Sequence, residues 1–297
     1  MYSHDGGFLK KLFFNLIILI LLLFLGYWYF SSKPEKKDIH TEKVTVGKST
    51  VKLMTWNLFN FGKSKTDTEI TFFAKEMKDF DIVAVQEIST GNYGAKAIAK
   101  LADELNRIGS KWDYVISDAT SGEGSERYAF LWKPFKVKLA GKPWLEQTLE
   151  SEIDREPFLA RFEFNGRKIL LATIHAVPKE KHPKTECKLL SKLSPHYPDD
   201  NIMIMGDFNL SQKDDAFDGL KKSGFEPSIV AQKTSLKMKG SPDGEHLANE
   251  YDNIFYEINT IKKVKSGVVD FSLEFNTLHE ARTISDHIPV FLEFSLN

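Results

Sequence analysis

Near the C-terminus, the sequence "SDHIPV" places Asp286 and His287 directly before the apolar run Ile288–Val290. A capped turn is one interpretation of this pair, because serine and aspartate often hydrogen-bond their own backbone. Catalysis is the other, since a carboxylate beside an imidazole can bind a cation or move a proton. The polar residues in the rest of the chain favour catalysis.

Polar side chains gather repeatedly where short apolar runs begin or end. The set comprises Asn57 after "VKLMTW", Glu87 after "DIVAVQ", His175 after "KILLATI", Asp207 and Asn209 in "GDFN", and Asp252 in "YDNIFY". The apolar runs predict buried strands, and residues 95–105 between them have helical spacing. Each polar residue alone could be a turn former, a surface carboxylate or a core histidine. Their joint occurrence at successive strand ends predicts a site preorganised at one edge of an α/β scaffold.

The chemistry open to these residues is narrow. Four of them offer oxygen ligands, which suits Mg²⁺, with Mn²⁺ as a substitute; they are Asn57, Glu87, Asp207 and Asp286. The sequence has no His-x-x-x-His or Cys-x-x-Cys pattern for zinc. Two histidines beside a hard cation suit attack of water on a phosphoester, in which one imidazole takes the proton of water and the other protonates the leaving oxygen.

Taken in order, "WN", "QE", "HAVP", "GDFN", "YDNI" and "SDH" resemble the endonuclease/exonuclease/phosphatase superfamily, and within it the deoxyribonuclease I type. The likeness covers residues 50–297 and includes the less generic stretches "FNFGKSK", "SERYAFLW" and "DREPFLARF". The fold that this resemblance implies is a four-layer α/β sandwich. Two mostly antiparallel sheets would pack face to face, with helices outside.

The resemblance also implies roles for individual residues. His175 would pair with Glu126, and His287 with Asp252, as the catalytic groups. Arg155 would hold the scissile phosphate and Asn209 would orient it. The cation and phosphate site would consist of Asn57, Glu87, Asp207 and Asp286. Which histidine is the acid and which the base stays open.

Two positions depart from the pattern of deoxyribonuclease I. Ser89 stands where that family has an arginine that enters the DNA minor groove, and Gly124 stands where it has a tyrosine that touches the groove. The resemblance therefore predicts the cleavage machinery without the residues that grip a duplex. We expect a nucleic acid substrate, with DNA favoured. The alternatives are a phosphoesterase for a phospholipid headgroup or small phosphate ester, and a non-catalytic binding module, which predicts erosion of the polar set.

Bulk composition limits the partners and the covalent links. The 297 residues have a formal net charge of −1, which argues against a tight electrostatic binder of nucleic acid. A single cysteine, Cys187, excludes an intrachain disulfide. We expect one catalytic domain over residues 50–297, acting as a monomer.

The N-terminal residues differ sharply from this domain. After a tail of residues 1–11, the sequence from Leu12 to Phe30 is apolar except for Asn15, and about 20 such residues span a bilayer as a helix. A cleavable signal peptide is the competing interpretation, but bulky aromatic residues rather than a small-x-small site follow the run. Residues 31–49 are polar and predict a linker.

The anchor predicts a single-pass membrane protein. Lys10 and Lys11 flank the span on a short N-terminal tail, which most simply stays inside and sends the catalytic domain to the extracytoplasmic side. The lysines at positions 33, 36 and 37 oppose this orientation.

Overall fold

The computed structural model describes Phe14 and residues 49–149, 151–240 and 244–297. Packing divides the chain after Gly47, and the fold below is that of the unit from Lys48 to Asn297. The anchor and linker predicted over residues 12–49 lie, apart from Phe14 and Ser49, outside the described part. Among the described residues, no helix has the length and apolar character needed to cross a membrane.

The strands of this unit are numbered β1 to β13 in chain order. They are β1 (Val51–Phe61), β2 (Ile82–Ile88), β3 (Asp113–Ile116), β4 (Arg127–Trp132), β5 (Lys138–Leu139), β6 (Trp144–Leu145), β7 (Phe158–Phe164), β8 (Arg167–His175), β9 (Asn201–Asp207), β10 (Phe225–Pro227), β11 (Asp252–Glu257), β12 (Ile261–Val268) and β13 (Val290–Leu296). The apolar runs that end at Asn57, Glu87, His175 and Asp207 lie on β1, β2, β8 and β9, whereas Ile288 and Pro289 precede β13.

The α-helices are numbered in the same way. They are α1 (Asp67–Met77), α2 (Asn92–Ile108), α3 (Pro183–Leu189), α4 (Leu193–His196), α5 (Asp218–Lys222) and α6 (Leu278–Ile284). The helical spacing noted over residues 95–105 falls within α2. Helix α1 begins at a capping box, in which Thr66 and Glu69 satisfy each other's backbone N–H groups.

The strands form two mixed sheets. One has the order β12-β13-β1-β2-β4-β3, and the other has the order β10-β11-β9-β8-β7-β5, with β6 also pairing with β7. Each sheet has one parallel pair at its centre, β1 with β2 and β8 with β9. Their other pairs are antiparallel. The predicted pair of packed sheets is therefore confirmed, with a parallel centre in each.

Side chains that alternate between the two faces of a strand form the layers of the fold. On β1, Val51 and Leu53 belong to the core between the two sheets, whereas Met54 and Trp56 belong to the core under α1 and α2. This is the period of two expected of a strand buried on both faces. A third apolar cluster fills the space between the second sheet and α3 to α5. Helices thus cover the outer faces, and the inter-sheet core sets how the two sheets face each other.

Candidate active site

The parallel centre of each sheet brings polar residues of two strands to one edge, although β1 does not end at Asn57 but continues to Phe61 beyond a shift in its register with β2. In the first sheet Asn57 pairs with Gln86, the residue before Glu87. In the second sheet His175 pairs with Asp207. Strand β11 runs antiparallel to β9 and begins opposite its end, so that Asp252 pairs with Asp207. The polar residues predicted at strand ends therefore meet at one edge because of strand register.

Unusual backbone conformations mark this edge. Glu87 has φ of 61°, Asn209 has φ of 47°, and Phe59 and Asn60 have φ of 52° and 53°. Left-handed conformations in residues other than glycine cost of order 1–3 kcal/mol and cluster at functional sites. Gly206 is needed for a different reason, since a Cβ there would lie 1.9 Å from the carbonyl oxygen of Ile174. The strands that carry His175 and Asp207 can therefore approach closely.

The first histidine pair joins the two sheets. His175, at the end of β8, places its Nδ1 2.9 Å from Oε2 of Glu126, which directly precedes β4 of the other sheet. The backbone N–H of His175 donates to the hydroxyl of Tyr128 at 3.2 Å. Oε2 of Glu126 also accepts from Nη1 of Arg155 at 2.9 Å. One carboxylate oxygen therefore serves an imidazole and a guanidinium together.

The second histidine pair joins the sheets in the opposite sense. His287, just before β13, places its Nδ1 2.8 Å from Oδ2 of Asp252. Its backbone N–H donates to Oγ of Ser285 at 3.0 Å, and its carbonyl accepts from the indole of Trp56 at 2.8 Å. The hydroxyl of Ser285 in turn donates to the carbonyl of Asn57 at 2.6 Å. This pair has no guanidinium contact among the described residues.

Asp207 lies between the two pairs. Its Oδ2 is 3.4 Å from Nε2 of His175 and 3.4 Å from Nε2 of His287. The side-chain amide of Asn57 donates to the same oxygen at 3.2 Å. The carboxylate is 1% exposed. The two imidazoles therefore converge on one buried oxygen, each with its other nitrogen held by a carboxylate.

Burial and charge compete at every titrating group here. Burial disfavours the charged form of His287, but Asp252 and Asp207 outweigh it and hold the pKa of His287 well above its ordinary value. The pKa of His175 is raised in the same way by Glu126 and Asp207 against burial, with Arg155 acting to lower it. Burial also opposes ionisation of Asp207, yet the two imidazoliums lower its pKa. Burial raises the pKa of Asp252 to about 6 despite His287.

The oxygen donors proposed for a cation lie mostly together. Nδ2 of Asn57 is 2.9 Å from Oε1 of Glu87, and the same amide contacts Asp207. Asp286 forms no hydrogen bond with these three in the described part of the chain. Its Oδ2 accepts from Arg282 at 3.3 Å, while its Oδ1 is buried and has no hydrogen-bond partner among the described residues. Asn57 turns its amide nitrogen toward the carboxylates, while its Oδ1 accepts from the backbone N–H of Phe59 at 2.9 Å. The donors that fit a hard divalent cation are therefore the carboxylates of Glu87, Asp207 and Asp286, the last with an unsatisfied oxygen.

A second possible ligand group overlaps the first. One ligand atom each from Asp207, Asp252 and His287 lie within 4.8 Å of one another. A cation in this group would take either Nδ1 of His287, which is bonded to Asp252, or its Nε2, which faces Asp207. The oxygen set around Asn57 and Glu87 leaves both histidine pairs intact, and we favour it for that reason.

Arg155 and Asn209 are bonded within the protein. Nη1 of Arg155 bonds Glu126 and its Nη2 donates to the carbonyl of Ala176 at 2.7 Å. Its Nε is buried without a partner among the described residues. The side-chain amide of Asn209 donates to the same Ala176 carbonyl at 3.0 Å. The phosphate-binding roles that the resemblance implies for these two residues stay predictions. The contact that the structure shows for the guanidinium is its bond to Glu126.

A cavity of about 480 Å³ opens beside the site. Its wall includes Glu87, Glu126 and Arg155, and also Ser89 and Gly124, the two positions that depart from the deoxyribonuclease I pattern. A Cβ at Gly124 would lie 2.8 Å from a carboxylate oxygen of Asp154. Small residues at both positions therefore leave open space where larger side chains would stand.

Several supporting side chains have contacts that the sequence did not predict. Tyr128 and Ser285 hold the backbone of the two histidines, as described above. Gln86 bridges the sheets, since its amide donates to Thr55 of β1 at 2.9 Å and to Thr173 of β8 at 2.7 Å. All three belong to stretches quoted above, Ser285 to "SDH", Gln86 to "QE" and Tyr128 to "SERYAFLW", but those stretches do not show what each side chain contacts.

A sandwich of two mixed sheets that bring two histidine–carboxylate pairs onto one buried aspartate has the architecture of a phosphoester hydrolase. The sequence profile of the Endonuclease/Exonuclease/phosphatase family matches residues 54–287, and the chain belongs to this family. A deoxyribonuclease from Thioalkalivibrio sp. is 28% identical over 269 residues, covering 83% of this chain and 72% of that protein. Deoxyribonuclease-1-like 1 from Sus scrofa is 25% identical over 316 residues, covering 99% of this chain and 90% of that protein.

The fold comparison agrees with the sequence match. An endonuclease/exonuclease/phosphatase family protein from Bacteroides thetaiotaomicron superimposes with a TM-score of 0.62 at 16% identity. The match covers 84% of this chain and 98% of that structure. At this identity the likeness supports the fold only.

Proposed function

We propose that the protein is a divalent-metal-dependent endonuclease that hydrolyses phosphodiester bonds of nucleic acid, with DNA as the favoured substrate. The observation that carries the proposal is the convergence of both imidazole Nε2 atoms, each 3.4 Å away, on Oδ2 of Asp207. In-line hydrolysis needs a base on the side of the attacking water and an acid on the side of the leaving oxygen. The names of the relatives, deoxyribonuclease and Deoxyribonuclease-1-like 1, support the choice of substrate.

The chain's own residues account for the proton transfers. One histidine takes the proton of the attacking water at Nε2, and the other gives a proton from Nε2 to the leaving oxygen. Glu126 and Asp252 accept from the two Nδ1 atoms and so hold each imidazole in the required tautomer. A divalent cation at Asn57, Glu87, Asp207 and Asp286 would neutralise charge that develops on the phosphate. We favour Mg²⁺ there because Glu87, Asp207 and Asp286 offer carboxylate oxygens, while Asn57 holds Glu87 and Asp207 through its amide nitrogen.

A substrate panel tests this proposal. Full-length protein in detergent, and a fragment of residues 49–297, would be incubated with plasmid, single-stranded DNA, RNA and phospholipid, each with Mg²⁺, with Mn²⁺ and with EDTA. We expect cleavage of nucleic acid that needs the cation and stops in EDTA. Hydrolysis confined to phospholipid would assign the site to the headgroup phosphoesterase instead. Binding without turnover in every condition would assign it to a non-catalytic module.

The proposal includes tethering of the enzyme to a membrane. The support is the sequence of residues 12–30, which is long enough to span the hydrocarbon core as one helix. With Lys10 and Lys11 on the short N-terminal side, we place the catalytic domain outside the cytoplasm, joined by a linker of residues 31–49 and acting as a monomer.

Limited proteolysis of intact cells, or of spheroplasts where there is an outer membrane, tests the orientation. Protease added from outside should digest the domain, and a domain protected until the inner membrane is lysed would place it in the cytoplasm. Release of the domain into the soluble fraction without proteolysis would argue for a cleaved signal peptide.

A further inference from the structure

Both carboxylates that orient a histidine are held through their own backbone by a threonine. The hydroxyl of Thr120 accepts from the backbone N–H of Glu126 at 3.0 Å. The hydroxyl of Thr234 accepts from the backbone N–H of Asp252 at 2.9 Å. The two threonines are 3% and 0% exposed, so water does not readily replace either hydroxyl. The same device thus occurs twice, on loops unrelated in sequence.

Thr120 belongs to the loop between β3 and β4. It closes a ring with Glu126, because its backbone N–H also donates to the Glu126 carbonyl at 2.9 Å. Its own carbonyl accepts from the hydroxyl of Ser125 at 2.7 Å. The turn that presents Glu126 to His175 is therefore closed at both backbone groups of that glutamate.

Thr234 belongs to the connection between β10 and β11. Its hydroxyl accepts a second hydrogen bond, from the backbone N–H of Tyr251 at 3.1 Å. Its carbonyl accepts from the backbone N–H of Ile288, the residue after His287, at 2.7 Å. One threonine therefore contacts the backbone on both sides of the His287–Asp252 pair.

The positions of the carboxylates explain why such a contact matters. Glu126 directly precedes β4 and Asp252 begins β11, so each sits where the sheet ladder begins and its backbone N–H bonds a side chain. A backbone free to rotate there would swing the carboxylate and the imidazole bonded to it. Misplacement of a catalytic group by about 1 Å can cost about 10²-fold in rate.

We propose that Thr120 and Thr234 are paired positioning residues, each fixing the backbone of one orienting carboxylate and through it the aim of one imidazole. Neither hydroxyl touches the reacting atoms. The kinetic part of the test rests on the proposed phosphodiester hydrolysis, whereas the spectroscopic part does not need any activity. Failure of the proposed function and failure of this proposal can therefore be told apart.

The kinetic test compares three side chains at each position in the full-length protein. Thr120→Val and Thr234→Val keep the shape of threonine but remove the acceptor, and Thr120→Ser and Thr234→Ser keep the acceptor. We expect each valine variant to lower kcat by about 10-fold or more with KM within about twofold, and each serine variant to restore kcat. Valine variants with kcat within about twofold of wild type would overturn the proposal, as would serine variants no better than valine.

The spectroscopic test uses ¹⁵N-labelled histidine. The Nδ1–H resonances would be assigned by their loss in His175→Ala and His287→Ala. Thr120→Val should shift the His175 resonance and leave that of His287 in place, and Thr234→Val should do the reverse, so each variant is the matched control for the other. Equal movement of both resonances in either variant would indicate a general loss of structure and overturn the assignment.

If a valine variant does not fold, the alanine variant at the same position still tests the proposal. Thr120→Ala and Thr234→Ala remove the acceptor without adding a second methyl group in place of the hydroxyl. We expect the spectrum of each alanine variant to show a shift of the same single resonance. A folded alanine variant with both resonances unmoved would overturn the proposal for that threonine.

Discussion

The two histidine pairs follow one plan but differ in the surroundings of their carboxylates. Each pair crosses from one sheet to the other, and each has hydroxyl groups on the backbone of both members. Glu126, however, shares its Oε2 between His175 and Arg155, whereas Asp252 serves His287 without a second cation among the described residues. The pKa of both histidines is raised, that of His287 well above its ordinary value, and Arg155 acts against the rise at His175.

Similar geometry therefore need not give equal proton affinity. A second cation on Glu126 makes His175 easier to deprotonate than it would be with Glu126 alone. It also commits Glu126 to a structural role, because a buried guanidinium depends on it. The following experiments separate the chemical role from the structural role in each half of the site.

The largest effect should come from the imidazoles themselves. His175→Ala and His287→Ala should each lower kcat by about 10²–10⁴-fold, because each removes a general acid or base. Steady-state cleavage with Mg²⁺, together with circular dichroism to check the fold, measures this. A variant with near-normal kcat would mean that its histidine is a core residue.

A substrate with sulfur at the leaving position distinguishes the general acid from the general base. A thiolate is a weaker base than an alkoxide and needs no acid to depart. The variant that lacks the general acid should therefore recover much of its rate on this substrate, and the variant that lacks the base should not. Recovery in both variants, or in neither, would contradict a division of acid and base between the two histidines.

Replacement of the carboxylates should separate stability from catalysis. Glu126→Gln leaves both Arg155 and His175 without their anion, and Asp252→Asn leaves only His287. Breaking a buried ion pair costs about 3–5 kcal/mol, so we expect denaturant unfolding to show the larger loss of stability for Glu126→Gln. Both variants should lower kcat, since an amide cannot hold an imidazolium as a carboxylate does. Equal losses of stability would mean that Arg155 contributes little.

The role of Arg155 can be broken down in the same way. Arg155→Lys keeps the charge but cannot bond Glu126 and Ala176 together. If the guanidinium acts mainly through Glu126, as its contacts indicate, kcat should fall by about 10-fold with little change in KM. A rise in KM at constant kcat would instead favour the phosphate-binding role that the resemblance implies.

The sequence predicted the residues of the candidate site better than the residues that hold them in position. Asn57, Glu87, His175 and Asp207 end apolar runs, which was enough to group them. The parallel pairs that bring Asn57 beside Glu87 and His175 beside Asp207 were not predicted. Thr120 and Thr234 lie in loops without any period, and their contacts depend on how those loops return to the sheet. The commitment of Arg155 to Glu126 could not be predicted either, because a motif gives a residue's identity and not its partners.

Surface lysines near each half should have the smallest effect. Two lysine-rich runs occupy residues 178–192, after His175, and residues 232–240, before Asp252. Lys181 lies 3.7 Å from Glu123, and Lys237 lies 3.1 Å from Glu245. Exposed pairs of this kind contribute little, and lysines already paired with carboxylates have less charge to offer a phosphate.

We therefore expect Lys181→Gln and Lys237→Gln to change substrate affinity by less than about twofold. Affinity would be measured for single-stranded and duplex DNA on the inactive His175→Ala background, over a range of salt concentrations. Each lysine that tracks a phosphate should contribute about 0.7 to 0.9 to the slope of log affinity against log salt. A slope that falls by this amount in one variant and not in the other would show that the two halves of the site differ in substrate grip as well as in proton affinity. A slope near zero in the parent protein and in both variants would mean that lysines do not grip the substrate in either half of the site. The two halves would then differ only in the contact of Arg155 with Glu126.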